Sequence, residues 1–176
     1  MIRKKIIFFD GDGTLWYPKA TKHREKPHWV YKTAGTPDDH CTQLMLTPTA
    51  LTTLKKLKKL GVATVVLSTH PHPPKEAQAL IHHKIQHFKL NELFDEIHAT
   101  REFHSSKGKF IVKILKQRGI VKKDALMVGD HYHWDYKPAR DVGIDAVLIE
   151  SDYMRSDPAG KRVQKTIKKL RDILSL

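Results

Sequence analysis

Short apolar runs, each ending abruptly at polar residues, set the rhythm of this chain. The run Lys5-Ile6-Ile7-Phe8-Phe9 is continuously apolar rather than alternating. It predicts a strand buried on both faces, as in a parallel sheet. Similar runs predict strands at Val62 to Leu67, Ala125 to Val128 and Ala146 to Ile149, with a weaker candidate at Glu96 to Ala99.

Helical spacing fills the intervals. Thr47-Pro48 reads as N-cap and first helical residue, Leu51, Leu54, Leu57 and Leu60 as the apolar face, and Gly61 as the stop. A turn at Pro71-His72-Pro73-Pro74 leads into a helix to about residue 87. Ser105-Ser106 reads as the cap of a helix with Phe110, Ile111, Ile114 and Leu115 on its face, closed by Gly119. A short helix is expected near residues 136 to 142. A C-terminal helix is expected with Val163, Ile167, Leu170 and Leu174 on one stripe. Strand and helix alternate, so the expected class is α/β: a three-layer, Rossmann-like, doubly wound parallel sheet. Residues 16 to 46 break the rhythm, holding Trp16, Trp29 and Tyr31 without sustained periodicity, and read as a flap or short insertion in a single domain spanning 1–176.

Composition changes this picture little. A chain of 176 residues suits one core, and its 40% apolar content is ordinary for a globular protein. No apolar run approaches the roughly 20 residues needed to cross a membrane. Asp10 ends the first run too soon for a signal segment, so the expected location is the cytoplasm. The single cysteine, Cys41, excludes an intramolecular disulfide and reads as a passive thiol. Charge matters more. Basic residues outnumber acidic ones by 32 to 19, a net +13 that attracts anions. Runs such as Lys55, Lys56, Lys58, Lys59 and Lys165, Lys168, Lys169 read first as solvated helix faces, with nucleic-acid binding as the alternative.

The chemistry gathers after the strands. Asp10-Gly11-Asp12-Gly13-Thr14, Ser68-Thr69, Ser106-Lys107 and Gly129-Asp130 through Asp135 all sit at strand ends or a helix start. A doubly wound sheet brings such segments together at its carboxyl edge. Two carboxylates there repel each other and resist burial, a conflict that a hard dication resolves. Asp-Gly pairs also cap ordinary turns, but an Asp-x-Asp after one buried strand and a Gly-Asp after another exceed what capping needs. Lys107 stands in the first turn of its helix, where the dipole disfavours a cation, which makes sense if it faces carboxylates and phosphate. His70, His72, His131 and His133 flank these segments and could contact substrate or recruit a transition metal.

In this order and on these elements, Asp10-Gly11-Asp12-Gly13-Thr14, Ser68, Lys107 and Gly129-Asp130 with Asp135 resemble the four motifs of the haloacid dehalogenase superfamily, across about residues 5 to 150. The resemblance implies a Mg2+-dependent phosphatase with Asp10 as nucleophile and Asp12 as general acid and base. Ser68, Thr69 and Lys107 would hold the phosphoryl group. Asp10, the backbone carbonyl of Asp12, and Asp130 would bind the metal. Asp135 would be either a further ligand or the partner of Lys107. Asp12 favours a phosphatase over a dehalogenase, since halide departure needs no proton.

The chain looks capless, and an open site favours a phosphate on something large or closure by a partner subunit. Thr14-Leu15-Trp16 and the flap are similar to the small magnesium-dependent phosphatases reported to act on phosphotyrosine and sugar phosphates, although Gly129-Asp130 stands where those often have Asp-Asp. Expected substrates are phosphorylated small molecules, sugar phosphates or phosphoproteins, with a nucleic-acid 3′-phosphate as the alternative.

Overall fold

The first apolar run forms β1 (Ile6–Phe9), and every residue in it is buried, because the strand lies in the middle of a sheet covered on both sides. The computed structural model describes residues 2–31, 40–70, 72–100 and 105–176. The side chains of Trp29, Tyr31, Ser105 and Ser106 lie outside the described residues, as does Pro71 of the expected turn.

Along the chain come β2 (Trp16–Pro18), β3 (Leu44–Leu46), α1 (Ala50–Lys59), β4 (Ala63–Thr69) and α2 (Pro74–His87). There follow β5 (Glu96–Thr100), α3 (Ser105–Arg118), β6 (Ala125–Gly129), α4 (Lys137–Asp141), β7 (Asp145–Ile149), α5 (Asp152–Ser156) and β8 (Thr166–Ile167). Six strands make one sheet in the order β5-β4-β1-β6-β7-β8, parallel throughout. From β1 the chain first builds toward β4 and β5 and then crosses to β6, so the order reverses between β1 and β6. The crevice at that reversal is where such sheets bind ligands, and Asp10 and Asp130 are the residues that leave its two strands.

Ile7 and Phe9 point to one side of the sheet, against Leu54 and Leu57 of α1 and Ile81 and Ile85 of α2. Ile6 and Phe8 point to the other side, against Ile111, Ile114 and Leu115 of α3 and Ala139 of α4. Three layers result. β2 and β3 pair separately as an antiparallel hairpin, with Trp16 opposite Leu46. No large cap is built by the described residues.

Three expectations need correction. Helix α1 starts at Ala50 rather than after a Thr47 cap. Thr47 instead donates its hydroxyl to the Thr14 carbonyl at 2.7 Å, fastening the end of β3 to the Asp10 loop. The buried face of α1 is Ala50, Thr53, Leu54 and Leu57, while Leu51 is half-buried and Leu60 is 46% exposed past the helix end. The C-terminal stripe is not an α-helix. Thr166–Ile167 adds an edge strand to β7, and a short 3-10 segment follows at Leu170–Ser175. Ile167, Leu170 and Ile173 still reach the core. The free edge of β7 offers main-chain partners that the helical spacing does not reveal, and Glu150 N–H donates to the Ile167 carbonyl at 2.8 Å.

The burial contrast within one leucine stripe is directly testable. Leu57→Ala should cost about 2–5 kcal/mol and Leu60→Ala less than about 0.5 kcal/mol by urea denaturation. Equal losses would place Leu60 in the core.

Candidate active site

β1 delivers Asp10 to the crevice, and the Asp10 N–H donates to the Val128 carbonyl of β6 at 2.9 Å. The loop then turns back on itself, with Leu15 N–H on the Gly11 carbonyl at 2.8 Å. Gly13 adopts φ 84°, and a Cβ there would lie 2.1 Å from Asp130 Oδ2. Glycine is therefore required on both counts: a left-handed backbone and a closely approaching carboxylate.

α3 brings Lys107 into the same crevice, 2% exposed. Its Nζ donates to Asp10 Oδ1 at 2.6 Å and to Asp135 Oδ1 at 2.5 Å. The approach depends on Gly108, whose Cβ, if present, would sit 2.3 Å from the Pro138 carbonyl oxygen of α4. Asp135 lies on a π-helical turn, residues 132–136, a wide turn common at functional sites. Its Oδ2 accepts the backbone N–H groups of Asp130 (3.2 Å) and His131 (2.9 Å), so both of its oxygens are engaged by donors. Asp130 accepts the Tyr153 hydroxyl at 2.5 Å. Tyr153 gives no sequence signal, because it follows β7 as one aromatic among several polar residues.

Asp12, 4% exposed, has its own partners. Trp16 Nε1 donates to Oδ1 at 2.7 Å, and Lys84 Nζ donates to Oδ1 at 3.1 Å and Oδ2 at 3.3 Å. Lys84 is fully buried on α2. Sequence reasoning missed it, although the signal is present: Ala77, Ile81, Lys84 and Ile85 share the buried stripe of α2, so a lysine occupies a core-facing position.

These groups surround a cavity of about 550 Å³. Asp10, Asp12, Lys107, Asp130 and Asp135 line it, and the segment that follows β2 contributes Lys26, Pro27 and His28. Of the four expected histidines, His70, His72 and His131 line the cavity, joined by Trp134, while His133 lies in an adjoining pocket. Thr69 is in the wall. Ser68 is buried beneath the Asp10 loop, where a Cβ on Gly11 would come 3.0 Å from its hydroxyl.

The electrostatics follow from burial. Burial raises the Asp10 carboxyl to about 7, against the opposing pull of Lys107. Burial likewise raises Asp130 well above the carboxylate range, helped by the neighbouring Asp10 and Asp135. Burial also works against the Lys107 charge, but Asp10 and Asp135 outweigh it and hold the ammonium above its ordinary value. His70 falls to about 3 and His131 to about 4, mainly through burial, and both rings are neutral near pH 7. Among the described contacts, four carboxylates meet two buried ammoniums, leaving negative charge uncompensated. Asp10, Asp130 and Asp135 each offer an oxygen within 4.8 Å of the others. This hard-oxygen set, short of positive charge, fits a dication.

The family model for haloacid dehalogenase-like hydrolases matches residues 11–149. A glyceraldehyde 3-phosphate phosphatase of Pyrococcus furiosus is 29% identical over 127 residues, 70% of this chain and 50% of that protein. The chain therefore spans about half the length of this relative. Among solved structures, a predicted phosphoglycolate phosphatase from Haemophilus somnus superposes with TM-score 0.71 at 21% identity, covering 99% of this chain and 98% of that one. A phospho-aspartyl intermediate analogue of phosphoserine phosphatase superposes with TM-score 0.68 at 19% identity, covering 98% of each. At these identities the superpositions show the shared fold.

The charge imbalance around Asp10 has a measurable consequence. The folded protein holds the Asp10 proton up to about pH 7, whereas the unfolded chain releases it near 3.8. With chelator present, the penalty for ionised Asp10 is absent below pH 3.8, grows as pH rises, and is complete above about pH 7. The Asp10 contribution should fall across that window by on the order of 1 kcal/mol per pH unit, while His70 and His131 pull the total the other way, so the contribution is read as the difference between wild type and Asp10→Asn. Urea titrations of both proteins at several pH values check this, and a stability difference between them that does not change from pH 4 to 7 would contradict it.

Proposed function

The chain belongs to the haloacid dehalogenase-like hydrolases, and we propose that it is a magnesium-dependent phosphomonoester hydrolase working through an aspartyl-phosphate on Asp10. One observation carries the reading. Asp10 stands at the sheet's switch point, gripped by a buried lysine, in a cavity that also holds Asp12. A nucleophile, a proton-transfer group and a cation that counters phosphoryl charge are the parts such chemistry needs.

In the first step a carboxylate oxygen of Asp10 bonds to phosphorus as the ester P–O bond breaks. The departing oxygen leaves with that electron pair and takes a proton from Asp12. In the second step Asp12 takes a proton from water as the water oxygen bonds to phosphorus, and the Asp10 carboxylate is released. Lys107 would neutralise charge on the transferring oxygens, and Asp135 would fix Lys107 through its short contact. Thr69 in the cavity wall, with Ser68 beneath the loop, would donate to phosphate oxygens. Asp10, the Asp12 carbonyl and Asp130 would hold magnesium, which supplies charge compensation for the carboxylates and the phosphate.

The substrate fits a small phosphorylated molecule. A cavity of about 550 Å³ with flap residues in its wall is in the range of metabolite sites. The Pyrococcus furiosus relative, named for a three-carbon phosphate, supports the same class. The lysines behind the nucleic-acid alternative, such as Lys55, Lys59, Lys165 and Lys168, are exposed and do not line this cavity.

Asp10→Asn should abolish hydrolysis of 4-nitrophenyl phosphate while the fold persists by circular dichroism, and chelation should silence the wild type until magnesium is restored. Full activity in the Asn variant would overturn the reading.

A further inference from the structure

Lysine inside an apolar helix stripe is costly unless something recovers the energy of its charge. Lys84 is such a residue. It is fully buried among Ala77, Ile81 and Ile85, and it belongs to none of the four motifs. Its ammonium reaches both oxygens of Asp12, with the nearer contact to Oδ1. The same Oδ1 accepts the Trp16 indole N–H at 2.7 Å.

Trp16 is itself immobilised. Its ring stacks on Phe88 at 6.0 Å and 17°, and its edge lies so near Gly11 that a Cβ there would approach within 2.8 Å. Lys84 Nζ stands 5.7 Å from the centre of that ring. Two donors from two elements, the flap and α2, therefore converge on one carboxylate oxygen next to the nucleophile loop.

We propose that Lys84 and Trp16 form a clamp that fixes the orientation of the Asp12 carboxyl group for proton exchange with the leaving-group oxygen. This rests on the phosphatase reading above. Lys84 is a positioning residue: it touches Asp12, not the substrate. Three contacts from two donors fix the plane of the carboxyl group, so it meets the ester oxygen without a search among rotamers. When Asp12 gives up its proton, the ammonium already in contact stabilises the carboxylate that forms, with no reorganisation at that moment. Substrate binding uses other groups, Lys107 and the Thr69 wall, so the clamp acts on kcat rather than KM.

Esters with different leaving groups separate this role from a structural one. An alkoxide is a poor leaving group and needs the proton from Asp12, whereas 4-nitrophenolate departs largely unaided. Lys84→Met keeps an unbranched side chain of similar length and removes the charge. With magnesium it should lose on the order of 10²-fold in kcat on ethyl phosphate, less than about tenfold on 4-nitrophenyl phosphate, and leave KM nearly constant. Trp16→Phe, which removes one N–H and keeps an aromatic ring, should show the same selectivity at a smaller size, and it carries the test if Lys84→Met fails to fold.

Equal losses on the two esters, or no loss in either variant, would overturn the clamp while leaving the phosphatase reading intact. A wild-type protein inert toward both esters with magnesium would overturn both.

Discussion

Four carboxylates buried at one edge of a sheet cannot stand without compensating charge, and Lys107 is where that compensation is concentrated. Removing a carboxylate from water costs several kcal/mol even after the protein relaxes. One ammonium touching both Asp10 and Asp135 offsets part of that cost for two of them. Much of the surrounding geometry serves this contact. α3 lies close enough to α4 only because residue 108 has no side chain, and Asp135 is oriented by two backbone N–H groups from the segment that carries Asp130. Lys84 does the same for Asp12 from the other flank. The remaining excess of negative charge suits a bound cation.

The parallel sheet explains why this cluster exists at all. Strands running in one direction put all their carboxyl ends on one edge, so residues far apart in the chain meet there. β1 and β6 are neighbours in register, Phe9 opposite Val128, and the next residues along each are the starts of Asp10-Gly11-Asp12 and Gly129-Asp130. The segment that follows β2 brings Lys26, Pro27 and His28 to this edge, and the Thr47 hydroxyl ties the end of β3 to the same loop.

Much of this was legible from the residues alone. β1, β4, β6 and β7 are continuous apolar runs whose burial on both faces leaves no alternative pattern, and the acids after them stand where the sheet brings them together. Other parts were hidden for physical reasons. Val163, Ile167, Leu170 and Leu174 have helical spacing, but an open sheet edge captured the backbone between them, a tertiary effect that spacing does not contain. Lys84 could have been found by asking why a lysine interrupts an apolar stripe, while Tyr153 could not, because its partner Asp130 is distant in sequence. Thr47 resembles a helix cap in every local respect, and only the position of the Asp10 loop gives its hydroxyl a better acceptor.

The central claim is covalent: phosphate passes through Asp10. Rapid acid quench of the Asp12→Asn variant during turnover, followed by peptide mass analysis, tests it most directly, since that variant should slow release of the acyl phosphate. The account predicts one added phosphoryl group, on the peptide that contains Asp10. Turnover with no adduct, or with the phosphoryl group on another residue, would contradict it.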